Sequence, residues 1–410
     1  MKATLLTIGD ELLIGQVIDT NSAWMAGELH QIGIKVERKV SVGDNLGDIA
    51  AAIDSAFATS KLILMTGGLG PTRDDVTKKA LVQYFECGMR FSQETYDRIE
   101  AIFNKRNIQL TSAHREQCYI PEKAELLSNR MGTAPGMWLV KSEKVLVSMP
   151  GVPHEMKYIM KHGVLPRIEG MSSTVLLQKT IRTIGTSEST LAAQIEPVLE
   201  VSPVKIAYLP SIGQVRIRLS IEETRHGEGA DQLDQAVVAV EKCLSSQIFG
   251  YDDITIEQVI GQMLRKESLT LATAESCTGG YLAHLITSVA GSSEYYQGSI
   301  IAYSNSLKSS LLNVRQSTLD QHGAVSEETV KEMVAGVLYV AQAQVAVAIS
   351  GIAGPSGGSD ERPVGTIWIA VGDANRTITR KHLFTKDRIL NIKYTAVYAF
   401  DLLRKFLLAR

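Results

Sequence analysis

The chain has 410 residues, of which 45% are hydrophobic and 21% are charged, as expected for a globular protein with two or three domains. Its 42 basic and 44 acidic residues give a net charge of −2, which excludes a whole-protein positive field that would attract nucleic acid or an anionic membrane. The first apolar run is too short for a signal peptide, and no later run reaches the about 18 residues of a membrane helix. We therefore expect a cytoplasmic protein with no membrane partner.

The four cysteines lie far apart in the sequence and form no C-x-x-C pair. They are Cys87, Cys118, Cys243 and Cys277. Such wide and irregular spacing indicates neither a zinc site nor a disulfide framework. We expect reduced thiols.

The first part of the chain, residues 1–168, alternates short apolar runs with amphipathic helical patterns. Runs such as ATLLTI and KLILMT predict buried strands, whereas DTNSAWMAGELHQIG begins with capping residues and stops at Gly33, as a helix does. Strands that alternate with helical crossovers form mainly parallel sheets. We therefore predict a doubly wound α/β domain here.

Residues 172–252 follow a different pattern, β-α-β-β-α, which predicts a small α+β domain. From residue 253 to residue 410 the alternation resumes, through the predicted strands LTLATA, GSIIAYS, VAVAIS and GTIWIAV. The sequence therefore predicts an α/β fold class, with two doubly wound α/β domains joined by the small α+β domain.

A glycine-rich turn follows the predicted strand KLILMT in the first domain. Gly67, Gly68 and Gly70 let the backbone approach a ligand closely, and the N–H groups at the start of the next helix attract phosphate. Asp74 and Asp75, predicted in the first turn of that helix, would repel phosphate unless a divalent cation lies between them. The alternative is that both carboxylates only stabilise the positive end of the helix.

Other loops of this domain contain further candidate residues. Asp10 and Glu11 follow the first strand, where ligands of such sheets gather, or they form only a solvated turn. The loop NRMGTAPG, which includes Gly132 and Thr133, and the loop MPGVPHE are dense in turn-forming residues. Loops made rigid in this way often have a function, although turn formation alone also explains their composition.

The motifs TGGLGPTRDDVT, NRMGTAPG and PGVPHE resemble the molybdopterin-binding-like domain of the CinA family. The resemblance implies hydrolysis of ADP-ribose to AMP and ribose 5-phosphate with a divalent metal (Mg, Mn or Co) held by Asp74 and Asp75. It also implies substrate contacts from these motifs, at Gly67, Gly68, Gly70, Thr72, Gly132 and Thr133. Related domains bind molybdopterin, and this ligand stays open as an alternative because it also presents phosphate to a glycine-rich loop.

The middle domain is similar to the KH-like module of CinA proteins. A KH domain grips nucleic acid with a GXXG loop, but the candidate turn, residues 185–188, has no second glycine and adds a negative charge. We therefore expect a linker or dimerisation module in a homodimer. A competence or recombination accessory that binds nucleic acid is the alternative.

In the last domain, Ser276 follows the strand LTLATA in the small-residue turn AESCTGG, which precedes a helix. A hydroxyl at this place suits a nucleophile, and the neighbouring N–H groups suit an oxyanion. Two alternatives stay open: Ser276 only caps the helix, or the adjacent Cys277 is the nucleophile.

Two later segments supply groups that a serine nucleophile needs. Tyr303 and Lys308 come at the end of the strand GSIIAY and just beyond it. A lysine with a lowered pKa can remove the serine proton, while the tyrosine relays that proton or steadies the lysine. After the strand VAVAIS, the loop SGIAGPSGG contains Gly351 and Gly354, and N–H groups of such a loop can cradle phosphate.

The motifs AESCTGG, YSNSLK and SGIAGPSGG closely resemble the nicotinamide mononucleotide deamidase domain of CinA and PncC proteins. The resemblance implies conversion of nicotinamide mononucleotide to nicotinate mononucleotide and ammonia, without a cofactor, by the nucleophile Ser276 with Tyr303 and Lys308. It also implies substrate contacts at Thr278, Gly279, Gly351, Gly354 and Arg388. The chain departs from the family at Lys386, since the family has Gly-Asp-Arg where this sequence has Lys-Asp-Arg.

Overall fold

The computed structural model describes residues 1–70, 76–105, 109–171, 174–224 and 227–410. These residues form two compact units, which are Met1–Leu177 with Glu222–Gly229 and Gln178–Ile221 with Ala230–Arg410. In the part of the chain that is described, no helix is both long enough and apolar enough to cross a membrane. The predicted α/β fold class is confirmed by the alternation of helices with sheets that contain parallel strands.

The first unit is built on a six-stranded sheet. The strands in this part of the chain are β1 (Lys2–Ile8), β2 (Lys35–Val42), β3 (Leu62–Thr66), β4 (Met89–Phe91), β5 (Tyr119–Pro121), β6 (Glu125–Leu127), β7 (Gly136–Lys141) and β8 (Lys144–Met149). The sheet has the order β2-β1-β3-β8-β7-β6, and β4 pairs only with β5. Strands β2, β1, β3 and β8 run parallel to one another. Strand β7 pairs with β8 in the antiparallel direction, and β6 pairs with β7 in the same antiparallel way. The predicted mainly parallel sheet is confirmed, and the β6–β7 pair extends it.

Helices cover both faces of this sheet. They are α1 (Asp10–Leu13), α2 (Thr20–Gln31), α3 (Leu46–Thr59), α4 (Thr77–Phe85), α5 (Gln93–Lys105), α6 (Ser112–Glu116), α7 (Pro153–Ile159) and α8 (Leu165–Ile168). Helices α2 and α7 share a hydrophobic core with one face of β1 and β3, and α3 and α4 share a second core with the other face. Burial on both faces explains why these two strands are nearly continuous apolar runs.

The start of α4 differs from the prediction. The helix begins at Thr77 and not at Asp74, so its first turn contains no carboxylate. The Thr77 hydroxyl donates a hydrogen bond to the Gly67 carbonyl over 3.0 Å, which ties the helix start to the glycine-rich turn. Asp74 itself, Asp75 and Thr72 lie outside the described residues.

The middle domain has the predicted β-α-β-β-α order and one further strand. Its elements are β9 (Thr174–Ile184), α9 (Glu188–Leu199), β10 (Lys205–Ser211), β11 (Gln214–Thr224), α10 (Gly229–Leu244) and β12 (Ile248–Tyr251). The four strands form one sheet in the order β10-β11-β9-β12. The last strand was not predicted, because its four residues are too few to show a period.

The C-terminal domain contains a five-stranded sheet. Its strands are β13 (Leu271–Glu275), β14 (Tyr296–Ile301), β15 (Val345–Gly351), β16 (Thr366–Gly372) and β17 (Thr377–Leu383). The strand order is β14-β13-β15-β16-β17, and the first three strands are parallel. Strand β16 is antiparallel to its neighbour β15, and β17 is antiparallel to its neighbour β16. The parallel half of the sheet is the half that positions the site described below.

Helices lie on both faces of the C-terminal sheet, as predicted. They are α11 (Ile256–Lys266), α12 (Tyr281–Thr287), α13 (Asn305–Leu312), α14 (Gln316–His322), α15 (Glu327–Ala341) and α16 (Arg388–Leu408). One core joins α11, α12 and α16 to the sheet, and the other joins α13, α14 and α15 to its opposite face. Helices α13 and α14 were not predicted.

Helix α16 also contacts the middle domain. Arg404 is buried, pairs with Asp401 over 2.9 Å, and donates to the backbone carbonyls of Ser246 and Ile248 over 3.0 and 3.3 Å. Phe249 of the middle domain belongs to the same hydrophobic core as α16. The two domains therefore share a packed boundary.

We predict that a fragment of residues 253–410 unfolds at a lower temperature than a fragment of residues 178–410. The shorter fragment removes both carbonyl partners of the Arg404 guanidinium, which should lower Tm by about 5 °C or more. Thermal unfolding followed by circular dichroism compares the two fragments. Equal unfolding temperatures would mean that the middle domain adds no stability and that residue 253 begins an independent domain.

Candidate active site

The parallel strands β14, β13 and β15 end at the same edge of the C-terminal sheet. Glu275, the last residue of β13, pairs in register with Ile301 of β14 and with Ile349 of β15. The three segments that follow these strand ends are the three motifs that resemble a deamidase. Parallel pairing therefore brings motifs that are far apart in the sequence to one place.

The side chains of Ser276 and Lys308 meet at this edge. Lys308 Nζ donates to Ser276 Oγ over 2.9 Å, and only 1% of the lysine is exposed. The N–H of Ser276 donates to the carbonyl of Ile349 over 3.1 Å, which holds the serine against β15. The alternative that Ser276 caps the next helix is wrong, because α12 begins at Tyr281 with Gly280 at the N-cap position and no side-chain cap.

Backbone carbonyls complete the surroundings of the lysine amine. Lys308 lies in the first turn of α13, at whose start the Ser304 hydroxyl accepts from the N–H of Leu307 over 3.2 Å. Lys308 Nζ donates to the carbonyls of Ala302 and Tyr303 over 2.8 and 3.3 Å. Burial lowers the pKa of Lys308, so its neutral form costs less free energy than that of a surface lysine.

Tyr303 contacts different partners with its backbone and with its ring. Its carbonyl is the group that reaches Lys308, whereas its hydroxyl accepts from Arg388 Nη2 over 3.1 Å. The residue as a whole is 58% exposed. Of the two predicted roles, this arrangement favours steadying the lysine over relaying its proton.

Arg388 connects the tyrosine to the glycine-rich loop, since its Nη1 donates to the carbonyl of Gly354 over 2.8 Å. Asn391 holds the same loop from one turn further along α16. Its Nδ2 donates to the carbonyls of Ala353 and Thr385 over 2.9 and 3.0 Å, and its Oδ1 accepts from the N–H of Thr385 over 2.9 Å. Asn391 was missed in the sequence because a single asparagine in a helix shows no motif.

A cavity of about 250 Å³ opens between these groups. The predicted residues that line it are Ser276, Tyr303, Lys308, Gly351, Gly354 and Arg388. Thr278 and Gly279, also predicted to contact the substrate, lie in the turn after the serine and are not among the described residues that form this wall. The motifs thus bring a serine, a buried lysine and an arginine to one cavity.

Cys277 also borders the cavity, but its thiol is a poor candidate for the nucleophile. Burial is the main reason that the pKa of this thiol is raised to about 12. Very little thiolate is therefore present at neutral pH. The adjacent serine, by contrast, has the Lys308 amine within hydrogen-bond distance.

A larger cleft, of about 720 Å³, lies in the first unit. The predicted residues that line it are Asp10, Glu11, Gly67, Gly68, Gly70 and Thr133. Three further carboxylates also line it, those of Asp19, Asp44 and Glu155. Gly132 is not among the described lining residues, and the Glu155 carboxylate lies so close to it that a Cβ there would require the glutamate side chain to move.

The predicted metal site of the first domain stays a prediction. No group of three or more His, Cys, Asp or Glu side chains is arranged to hold a metal ion in the described ranges. Both predicted ligands, Asp74 and Asp75, lie outside those ranges.

Asn21 has a role in this cleft that the sequence did not indicate. The sequence indicates Asn21 only as one of several helix-capping residues, but in the structure Asp19 is the residue that caps α2. Asn21 Nδ2 instead donates to the carbonyl of Gly151 over 2.7 Å and to the Thr66 hydroxyl over 3.4 Å. The Thr66 hydroxyl in turn donates to the carbonyl of Pro150 over 2.7 Å. These bonds tie the start of the glycine-rich turn to the loop MPGVPHE.

Comparison with known proteins agrees with the three-part organisation. The family model of a probable molybdopterin binding domain matches residues 4–170, that of the damage-inducible protein CinA KH domain matches residues 178–250, and that of the CinA C-terminal domain matches residues 253–407. A CinA-like protein of Cytophaga hutchinsonii is 43% identical over 410 residues, which are 98% of this chain and 97% of the relative. The chain belongs to the CinA family.

The chain is also similar to a second relative and to a solved structure. A putative competence-damage inducible protein of Halothermothrix orenii is 36% identical over 408 residues, which are 99% of each chain. The crystal structure of the competence damage-inducible protein A from Klebsiella pneumoniae matches with 37% sequence identity and a TM-score of 0.37. It covers 37% of this CinA-family chain and 95% of its own.

We predict that Cys277 of this CinA-family protein resists alkylation in the folded state. At pH 8, iodoacetamide should modify the half-buried Cys87 and Cys243 first, because a buried thiol with a pKa of about 12 offers almost no thiolate. Timed labelling followed by peptide mass spectrometry measures the order of modification. The unfolded protein, in which all thiols react, is the control. Preferential labelling of Cys277 would contradict the serine assignment.

Proposed function

We propose that the C-terminal domain is an amidase that hydrolyses nicotinamide mononucleotide to nicotinate mononucleotide and ammonia. The observation that carries the proposal is the buried amine of Lys308, which lies 2.9 Å from Ser276 Oγ at a cavity of about 250 Å³. A serine beside a desolvated lysine is an activated nucleophile. The resemblance of its three motifs to the deamidase domain supports the choice of substrate.

The carbonyl partners of Lys308 suit it to act as a base. A neutral amine has two N–H donors and one lone pair. If the carbonyls of Ala302 and Tyr303 accept the two N–H groups, the lone pair is directed at the third partner, the Ser276 hydroxyl. The serine O–H then donates to Lys308 Nζ and can pass its proton along that bond.

The reaction then proceeds through an acyl-enzyme. Ser276 Oγ attacks the carboxamide carbon while Lys308 takes the serine proton, and the carbonyl oxygen becomes an oxyanion. The C–N bond breaks as the ammonium of Lys308 returns that proton to the leaving nitrogen, which departs as ammonia. Lys308 next deprotonates a water molecule that attacks the ester, and the carbon–serine bond breaks as Ser276 regains a proton. Nicotinate mononucleotide is released.

Backbone and arginine groups are available for the charges of this reaction. The N–H group of Cys277, which directly follows the nucleophile at the cavity, is a candidate donor to the oxyanion. Arg388 uses N–H donors for Gly354 and Tyr303. A guanidinium has five N–H donors, so others remain for the substrate phosphate.

A second candidate activity, metal-dependent hydrolysis of ADP-ribose, belongs to the first domain. Its support is the cleft of about 720 Å³, where the glycine-rich turn lies beside several carboxylates. A divalent metal would bridge such carboxylates to phosphate and polarise the bond to be cleaved. Molybdopterin is the competing ligand. A homodimer formed through the middle domain is also part of the proposal.

We predict that Ser276→Ala abolishes ammonia release and that Lys308→Met lowers it by about 10³-fold or more, because nucleophile and base act as a unit. The double variant should be no worse than Ser276→Ala alone. A coupled assay of ammonia from nicotinamide mononucleotide measures the rates. Ser306→Ala and Lys331→Met, at exposed positions of α13 and α15, are matched controls that should keep full activity.

The pH profile checks the direction of proton transfer in the same assay. The wild-type rate should fall on the acid side, because protonation of Lys308 removes the base. Burial lowers the pKa of this lysine, which extends the active range below that of an ordinary amine. Full activity in Ser276→Ala together with inactivity in Cys277→Ala would mean a thiol mechanism.

For the first domain, we predict that Asp75→Asn lowers the ADP-ribose hydrolysis rate by about 10²-fold or more, because a metal-binding carboxylate supplies several kcal/mol of transition-state stabilisation. AMP formation at several concentrations of Mg²⁺, Mn²⁺ and Co²⁺ measures the loss. Asp97→Asn, at an exposed position of α5, is the control. An Asp75→Asn variant with wild-type rate and wild-type metal demand would remove this residue from the metal site.

A further inference from the structure

One carboxylate of the C-terminal sheet is completely buried. Glu275, at the end of β13, is 0% exposed. Its Oε2 accepts hydrogen bonds from the N–H groups of Gly280 and Leu282 over 3.1 and 3.0 Å, and its Oε1 accepts from that of Ala283 over 2.8 Å. The Ser299 hydroxyl of the neighbouring strand β14 donates to Oε1 over 3.4 Å. Both carboxylate oxygens therefore have partners.

These bonds give Glu275 the role that an N-cap side chain normally has. The first N–H groups of a helix lack intrahelical acceptors, and Gly280, at the N-cap position of α12, has no side chain to offer one. The carboxylate supplies the acceptors from the preceding strand, while the positive end of the helix stabilises its charge. Glu275 thus connects β13 directly to α12.

The turn between these two elements contains the nucleophile and is fixed at both ends. At its start, the N–H of Ser276 is bonded to the carbonyl of Ile349. Inside it, the N–H of Gly279 donates to the carbonyl of Ser276 over 3.1 Å. At its end, the Glu275 carboxylate holds the N–H of Gly280. Gly279 and Gly280 have φ values of +61° and +95°, which let the chain double back to the carboxylate.

We propose that Glu275 is a positioning residue for the serine nucleophile, an inference that rests on the proposed amidase function. By clamping the turn to α12, its carboxylate keeps Ser276 Oγ in line with Lys308 Nζ. The substrate phosphate is expected at Arg388 and at the loop around Gly354, as proposed above.

The test is Glu275→Gln, which preserves size but directs an amide N–H₂ group at backbone donors that need acceptors. We expect kcat for ammonia release to fall about 10–100-fold, since a displacement of about 1 Å at a reacting group can cost 10²-fold. KM should stay within about threefold because the phosphate contacts lie elsewhere. Glu294→Gln, an exposed glutamate 4.0 Å from Arg265, is the matched control.

A second readout does not depend on the substrate. A fluorophosphonate probe reacts with an activated serine, forms an O–P bond to it and releases fluoride. Labelling of Ser276 should be slower in Glu275→Gln by a similar factor, and Ser276→Ala gives the background. A merely structural glutamate would change the unfolding temperature but leave kcat and the labelling rate of the folded protein unchanged.

The outcomes separate this inference from the proposed function. Wild-type kcat and wild-type labelling in folded Glu275→Gln would overturn it, as would a wild-type protein that is not labelled at Ser276. If Glu275→Gln does not fold, the variant Glu275→Asp replaces it in the test, since aspartate keeps the carboxylate but is shorter by one methylene. Ser276 must then be labelled more slowly in Glu275→Asp than in the wild type for the inference to stand. If the wild type releases no ammonia but is labelled faster than Glu275→Gln, the substrate is wrong and the positioning role is supported.

Discussion

The burial of one amine, that of Lys308, constrains the rest of the C-terminal domain. A buried amine is costly unless it keeps hydrogen-bond partners. Its partners here are the carbonyls of Ala302 and Tyr303 and the hydroxyl of Ser276. These groups are close to each other only because β14 and β13 are parallel neighbours that end at one edge and because α13 begins directly after β14. The same burial that demands these partners also lowers the pKa of the lysine, which suits it to the proposed role of a base.

Small residues behind the cavity help to determine where that lysine lies. Strands β13 and β15 contribute four alanines to the core that they share with α15: Ala272, Ala274, Ala346 and Ala348. Such short side chains let the helix approach closely. Gly336 of α15 in turn leaves room for α13, because a Cβ at this position would lie 2.0 Å from the carbonyl oxygen of Leu312. Contact between the backbones of α13 and α15 therefore fixes the position of α13, and the first turn of this helix places Lys308 beside the serine.

Residue periodicity and motif spacing predicted the main strands, the long helices and the meeting of Ser276 with Lys308. Which atoms of the site residues contact each other could not be predicted, because these contacts depend on the direction of the backbone. It is the carbonyl of Tyr303 that reaches the lysine, while its hydroxyl binds Arg388. Glu275 is part of the motif AESCTGG, but only the structure, in which β13 leads into α12, shows that it caps this helix. The sequence did not predict short elements such as α13 and the β6–β7 pair. Each has too few residues to show a period, and its position depends on contacts with residues elsewhere in the sequence.

The two candidate sites differ in charge, and this difference separates their chemistry. The cleft of the first domain is lined by the carboxylates of Asp10, Glu11, Asp19, Asp44 and Glu155. In the activity proposed for this domain, a divalent cation would neutralise some of this charge when a phosphorylated ligand binds. The C-terminal cavity instead has Lys308 and Arg388 on its wall, and no carboxylate is among the described residues that line it. The phosphate of the substrate proposed for this cavity would therefore need no metal. The charge of each site thus agrees with the chemistry proposed for it.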